Sequence, residues 1–89
     1  MPTIFNPTDA RLFANWLDNE SVQIGIDLLD TEGAFSALGQ LWKDPKYHHY
    51  HNVFQESSTQ LKIFQEHAIE YASYLRKKAS LIEEYLDNR

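Results

Sequence analysis

Three closely spaced histidines, His48, His49 and His51, form the one stretch of this sequence whose side chains could carry chemistry. On a helix His48 and His51 share a face, and Asp44 stands one turn before His48, so two imidazoles and a carboxylate could converge on a metal ion. Imidazoles also titrate near neutrality, so a pH-responsive face is a second reading, and a simply solvated face is the third. A metal site inside a helical bundle draws further ligands from a facing helix, typically an acid and a histidine on adjacent turns. The first half of the chain has no such motif, and His67 stands alone without a role.

Other catalytic arrangements have no footing. The chain has no cysteine, no glycine-rich phosphate loop, and no serine or histidine in a recognisable nucleophile setting. Glu83, Glu84 and Asp87 read as solvated surface. A non-enzymatic protein without a cofactor is the expectation. The net charge of −5 arises in the first half, where Asp9, Asp18, Glu20, Asp27, Asp30 and Glu32 face Arg11 alone, while residues 43–89 balance. Phosphate binding needs clustered Lys and Arg, and Arg76-Lys77-Lys78 is the only basic cluster, so nucleic acid is not an expected partner. The first residues lack the basic and apolar regions of a leader, and no apolar run approaches the ~18–20 residues of a membrane span. A soluble, cytoplasmic chain that does not insert into membranes is expected.

The elements that would position these residues are two helices joined at Leu41-Trp42-Lys43-Asp44-Pro45. Asp44 can cap a following helix, and Pro45 suits the first helical position, where its missing N–H is not needed. Pro45 also disfavours helical geometry at Asp44. The spacing therefore predicts an extended arm over 1–7, capped by Thr8 or Asp9, a helix over 8–42, a turn at 43–44 and a helix over 45–87. Connections of roughly 2–4 residues make antiparallel neighbours, so the fold class is an all-α two-helix hairpin.

On the first helix Leu17, Ser21, Ile24, Leu28, Thr31, Phe35, Leu38 and Trp42 fall at alternating spacings of four and three, a single stripe. Gly25, Gly33 and Gly39 weaken that helix, and a bend or fraying is expected around Thr31-Glu32-Gly33. On the second, Tyr47, Phe54, Leu61, Ala68, Leu75 and Ile82 recur every seven residues, and Tyr50, Ser57, Phe64, Tyr71, Lys78 and Tyr85 follow three after each. Folding at Lys43-Asp44 sets Leu38 against Tyr50, Phe35 against Phe54, Leu28 against Leu61, Ile24 against Phe64, Leu17 against Tyr71 and Phe13 against Leu75. The same register sets Thr31 against Ser57 as a polar layer and Ser21 against Ala68 as a small one. Phe64→Ser in such a seam should cost roughly 3 kcal/mol or more.

A hairpin this thin leaves apolar residues over. Leu12, Trp16, Ile26 and Leu29 on the first helix, and Val53, Ile63, Ile69 and Leu81 on the second, lie outside the stripes. Ile82, Tyr85 and Leu86 run past the end of the first helix, with Ile4 and Phe5 on the arm or a second chain as their cover. Gly33 and Ala37 add a small-residue patch. A second seam is expected, in a homodimeric four-helix bundle or against a helical partner. Trp42 is expected either to close the end of the hairpin near Leu38, Tyr47 or Tyr50, or to dock with them into a partner.

With Trp42-Lys43-Asp44 at the turn, followed by Tyr47, Tyr50 and Phe54, residues 8 to 87 resemble the WXG (Trp-x-Gly, ESAT-like) proteins, the substrates and partners of type VII secretion. Within them the chain resembles a divergent subgroup with Trp-x-Asp and an ending like Tyr74-Leu75-Arg76-Lys77-Lys78-Ala79 followed by Glu84-Tyr85-Leu86. The resemblance implies the hairpin, the turn role of Trp42, assembly as a homodimer or as a heterodimer with a helical-hairpin paralogue, and leaderless export. Two features depart from the family pattern. Asp44 replaces the glycine, and the export signal, a tyrosine with an acid four residues later, is missing: Tyr85 is followed at that distance by Arg89, Tyr74 by Lys78 and Tyr71 by Leu75. The alternative is an intracellular adaptor or immunity-type inhibitor whose acidic first helix covers a basic partner.

Overall fold

Two dipeptides of one kind start the two helices. In the computed structural model, which describes residues 5–87, α1 spans Pro7–Leu41 and α2 spans Pro45–Asp87. Before α2, the Asp44 carboxylate accepts the Tyr47 backbone N–H at 2.8 Å, and Pro45 takes the first helical position. Before α1, the Asn6 side chain accepts the Asp9 N–H at 3.1 Å, and Pro7 takes the equivalent place. The cap of α1 is therefore Asn6, not the expected Thr8 or Asp9: the Asn-Pro pair carries the same signal as Asp-Pro. Leu41 ends α1, and the Trp42 N–H closes it on the Leu38 carbonyl at 2.8 Å. The helix runs through Gly25, Gly33 and Gly39 without the interruption expected near Gly33.

The helices lie antiparallel in a rod of 68 × 23 × 17 Å. Its core sits at the open end, away from the turn, and is built of small side chains. Ala10, Ala14 and Leu17 of α1 cluster with Ala68, Ala72 and Leu75 of α2, with Phe5 packed alongside. Ala79 is fully buried next to this cluster in sequence, and no large side chain of the described residues is fully buried. The expected register appears where Phe35 stacks on Phe54, 5.2 Å between ring centroids, and where Ser21 and Ala68 are both buried.

Three details of the register differ. Phe13 meets the edge of Tyr71 at 6.5 Å. Ser58, not Ser57, is the buried serine of the mid-hairpin layer, and Thr31 gives its hydroxyl to the Asp27 carbonyl of its own helix. Most telling, the row of α2 that accompanies Tyr47, Phe54, Leu61, Ala68, Leu75 and Ile82 into the seam is His51, Ser58, Gln65, Ala72 and Ala79. These are buried or half-buried, whereas Tyr50, Ser57, Phe64, Tyr71 and Tyr85 are exposed. Close approach selects this row, because Ala72 and Ala79 admit the facing backbone where an aromatic ring would hold it off. Toward the turn Gly39 serves the same end: a Cβ there would stand 2.5 Å from the Tyr47 hydroxyl. That hydroxyl instead reaches the Phe35 carbonyl at 2.9 Å and ties α2 to α1.

Candidate interaction faces

At the turn, sequence chemistry and geometry meet in Asp44. One carboxylate oxygen accepts the Tyr47 N–H and the other accepts the Trp42 indole N–H at 2.8 Å. Those two donors, Tyr47 first, hold the carboxyl below its ordinary value of 3.8. Trp42 is thus fixed at its polar edge while its ring stays 65% exposed. A cavity of about 310 Å³ opens beside it, lined by Phe35, Leu38, Trp42, Lys46, Tyr47 and Tyr50.

With both oxygens of Asp44 engaged, the candidate metal triad is not assembled. His51 turns inward between Phe35, at 5.1 Å, and Tyr47, at 5.7 Å, and its Nε2 lies 3.3 Å from Glu32 of α1. His48 is exposed against the edge of Tyr47. No three His, Asp or Glu side chains among the described residues come together as a metal site would require. His51 is instead a strut between the helices.

The remaining expected seam residues divide by exposure. Leu17 and Leu75 are buried, and Ile24, Leu28, Phe35, Tyr47, Phe54 and Ile82 are half-buried. Leu38, Leu61 and Phe64 are exposed, Phe64 by 51%. Phe64 is therefore no seam residue of the single hairpin. It lies three residues beyond the seam row, which on a helix turns it onto the flank.

Cross-helix contacts show that the two flanks differ in kind. On one, Arg11 pairs with Glu83 at 2.6 Å and reaches Ser80, Arg76 pairs with Asp18 at 2.6 Å and reaches Asn15, and His51 meets Glu32. The Gln65 amide bridges to the Ser21 carbonyl. On the other, Phe13 stacks on Trp16 and meets Tyr71, which stacks on Tyr74. By the helical period the same flank carries Tyr50, Val53, Phe64 and Tyr85 of α2 and Leu38 of α1, all exposed. One face is laced with polar pairs, and the other presents uncovered rings.

The candidate interface residues Leu12, Trp16, Ile26, Leu29, Gly33, Tyr85 and Leu86 are all exposed, Leu29 by 75% and Tyr85 by 72%. They do not form one seam. Trp16 leans to the aromatic side of α1, Leu12, Ile26 and Gly33 share its back at heptad spacing, and Leu29 lies toward its polar side. Nothing stands within 4 Å of a Cβ built on Gly33. The overhang of α2 is open at Tyr85 and Leu86, while Ile82 is half-covered. Phe5 packs on the alanine core and under Lys78, 4.8 Å from ring centroid to ammonium; Ile4, the other expected cover, lies outside the described residues.

The aromatic row of α2 was legible in the sequence as a heptad row, but that α1 leaves it exposed was not. No helix of the described residues is long and apolar enough to cross a membrane. No protein-family model, curated protein or solved structure matches the chain.

Proposed function

We propose that the hairpin is a non-enzymatic protein–protein interaction module that works as a dimer, with a second copy or a helical-hairpin paralogue, and serves as a WXG-like component or substrate of a type VII-like secretion system. The observation that carries the interaction reading is the aromatic face. Phe13, Trp16, Leu38, Tyr50, Phe64, Tyr71 and Tyr74 stand uncovered along one side of the rod. Exposed rings gathered on one flank of the rod support an interaction site there.

The area agrees. A compact monomer of 10.4 kDa exposes about 5,400 Å². This chain exposes 7142 Å². The secretion part of the reading rests on the likeness at Trp42-Lys43-Asp44 and the residues after it. An intracellular adaptor presenting the acids of α1 has less to draw on, because Asp18 and Glu32 are already engaged by Arg76 and His51.

Light scattering across a concentration series tests the assembly. The expected mass is twice 10.4 kDa, little changed by salt, since apolar seams are not screened. A monomer at every concentration would overturn self-assembly, and failure to pair with any hairpin paralogue of the source cell would overturn the paralogue form too. An epitope-tagged chain that never reaches the culture medium would remove export.

A further inference from the structure

On the polar flank the lacing between the helices has a gap. Arg11, Asp18, Gly25 and Glu32 follow one another at heptad spacing along α1, and three of the four reach across to α2, to Glu83, Arg76 and His51. Gly25 has no side chain to send. A groove opens there, where two cavities of about 550 and 650 Å³ share Gly25, Lys62 and Gln65 as walls. The Gln65 amide crosses it to the Ser21 carbonyl and would stand 3.2 Å from a Cβ on Gly25.

The groove is apolar where the rest of the flank is charged. Val22 and Leu29 of α1 and Ile69 of α2 line it, exposed by 63%, 75% and 53%. From Phe54 to Ile69 it follows α2 for about 22 Å, the length of roughly four helical turns.

We infer that this groove docks an amphipathic helix of a different protein, apolar on the face that enters and basic along its edges. The described residues form two helices and no strand, so an extended peptide finds no sheet edge to join. A helix finds a hole: Val22 and Leu29 stand seven apart with Gly25 between them, the arrangement that receives a knob from a neighbouring helix. The charge around the hole is acidic. Glu66 lines the groove and Asp30 stands one turn after Ile26, and neither is in an ion pair among the described residues. Glu32 is met only by a histidine, and Lys62 is the one opposing cation. Over its whole length α1 carries six acids against Arg11 alone. A second copy would bring the same acids, and like charges oppose that pairing here. The uncovered rings lie on the other flank, so assembly through them leaves the groove open.

The probe is a fluorescein-labelled peptide of about 16 residues with leucines at every third and fourth position and lysines beside them. It is compared, by fluorescence anisotropy, with the same peptide carrying glutamates for lysines. The lysine peptide should bind, more weakly as salt is raised, and the glutamate peptide should not. Gly25→Leu fills the groove, and Leu29→Ser removes an anchor that the hairpin leaves uncovered; each should weaken binding about tenfold or more. Lys62→Glu should tighten it about two- to fivefold. Phe64→Ser, on the other flank, should leave it unchanged, with circular dichroism showing every variant helical. Equal binding of the two peptides, or none of the lysine peptide at millimolar concentration, overturns the proposal. So does binding that survives Gly25→Leu and Leu29→Ser but fails in Phe64→Ser, which places the helix on the aromatic face. A wild-type dimer that Gly25→Leu dissociates means that a second copy fills the groove, and overturns it as well. Since peptide binding is the readout, the result holds whether or not the aromatic faces pair.

Discussion

At the open end of the hairpin, Ala10, Ala14 and Leu17 meet Ala68, Ala72 and Leu75, and the seam is sealed by side chains so small that four alanines and two leucines suffice across several turns. Toward the turn the helices meet through Phe35, Tyr47, His51 and Phe54, and every one of these is only half-buried. Volume does not decide closure here. Small residues let the backbones approach until no water fits between them, whereas rings hold the helices apart and leave their own edges exposed. The open end is a closed core, and the turn half leaves its rings half-covered.

The sharpest way to break that contrast is to cut one apolar side chain from each region. Leu75→Ala removes a buried leucine and should cost about 2–5 kcal/mol. Phe64→Ser removes a ring that the single hairpin covers by only half, so at low protein concentration its cost should be about 1–2 kcal/mol, below what a seam position implies. Urea unfolding followed by circular dichroism measures both. If the chain dimerises through its aromatic face, the Phe64→Ser loss grows with protein concentration while the Leu75→Ala loss on the hairpin does not. Equal losses at the lowest concentration would mean that Phe64 is core after all.

Much of this was legible in the sequence, and what was not has a common cause. The hairpin, its turn and the stacking of Phe35 on Phe54 follow from Asp44-Pro45 and the apolar stripes. The seam row His51-Ser58-Gln65-Ala72-Ala79 escaped because ranking by hydrophobicity sets Tyr50, Phe64 and Tyr71 above alanine and serine. The clue to it was present: Ala72 and Ala79 are seven apart and fall opposite Ala10 and Ala14 once the chain is folded. The inward turn of His51 could not be read from its spacing, since it depends on room left by Gly39 and on Glu32 of the other helix.

Two glycines of α1 sharpen the contrast at the next level of energy. Gly33→Ala meets nothing within 4 Å, so it should raise stability by up to about 1 kcal/mol through helix propensity alone. Gly39→Ala must displace the Tyr47 phenol and break its bond to the Phe35 carbonyl. Loss of that bond at about 1–3 kcal/mol should outweigh the propensity gain. Thermal unfolding of the pair should therefore move in opposite directions. A stabilised Gly39→Ala chain would show that Tyr47 is not held against α1.

The turn has a pH signature that the open-end core lacks. The Asp44 carboxyl is held below 3.8 by the Tyr47 N–H and the Trp42 indole. Its contribution is therefore fully present above the unfolded value and is lost as pH falls through the lower folded value. Asp44→Asn keeps an acceptor for the cap and should flatten this acid limb. Asp44→Ala should lower the melting temperature at neutral pH and free the Trp42 indole, which its fluorescence would report in a Trp16→Phe background. An unchanged acid limb in Asp44→Asn would place the titration elsewhere.

The smallest effect should come from the ion pairs that decorate the open end. Arg76 and Asp18 are 2.6 Å apart, but about a third of each side chain is exposed. Such a pair is screened by salt and contributes roughly 0.2–1 kcal/mol. Arg76→Met retains an apolar stem and removes the charge together with the exposed hydrogen bond to Asn15, so its cost should shrink as salt is raised. Measured beside Leu75→Ala, it separates the two things that the open end offers. If the charge change costs as much as the leucine truncation, the closure of that end is electrostatic, and the alanine seam follows from the pairing of charges instead of driving it.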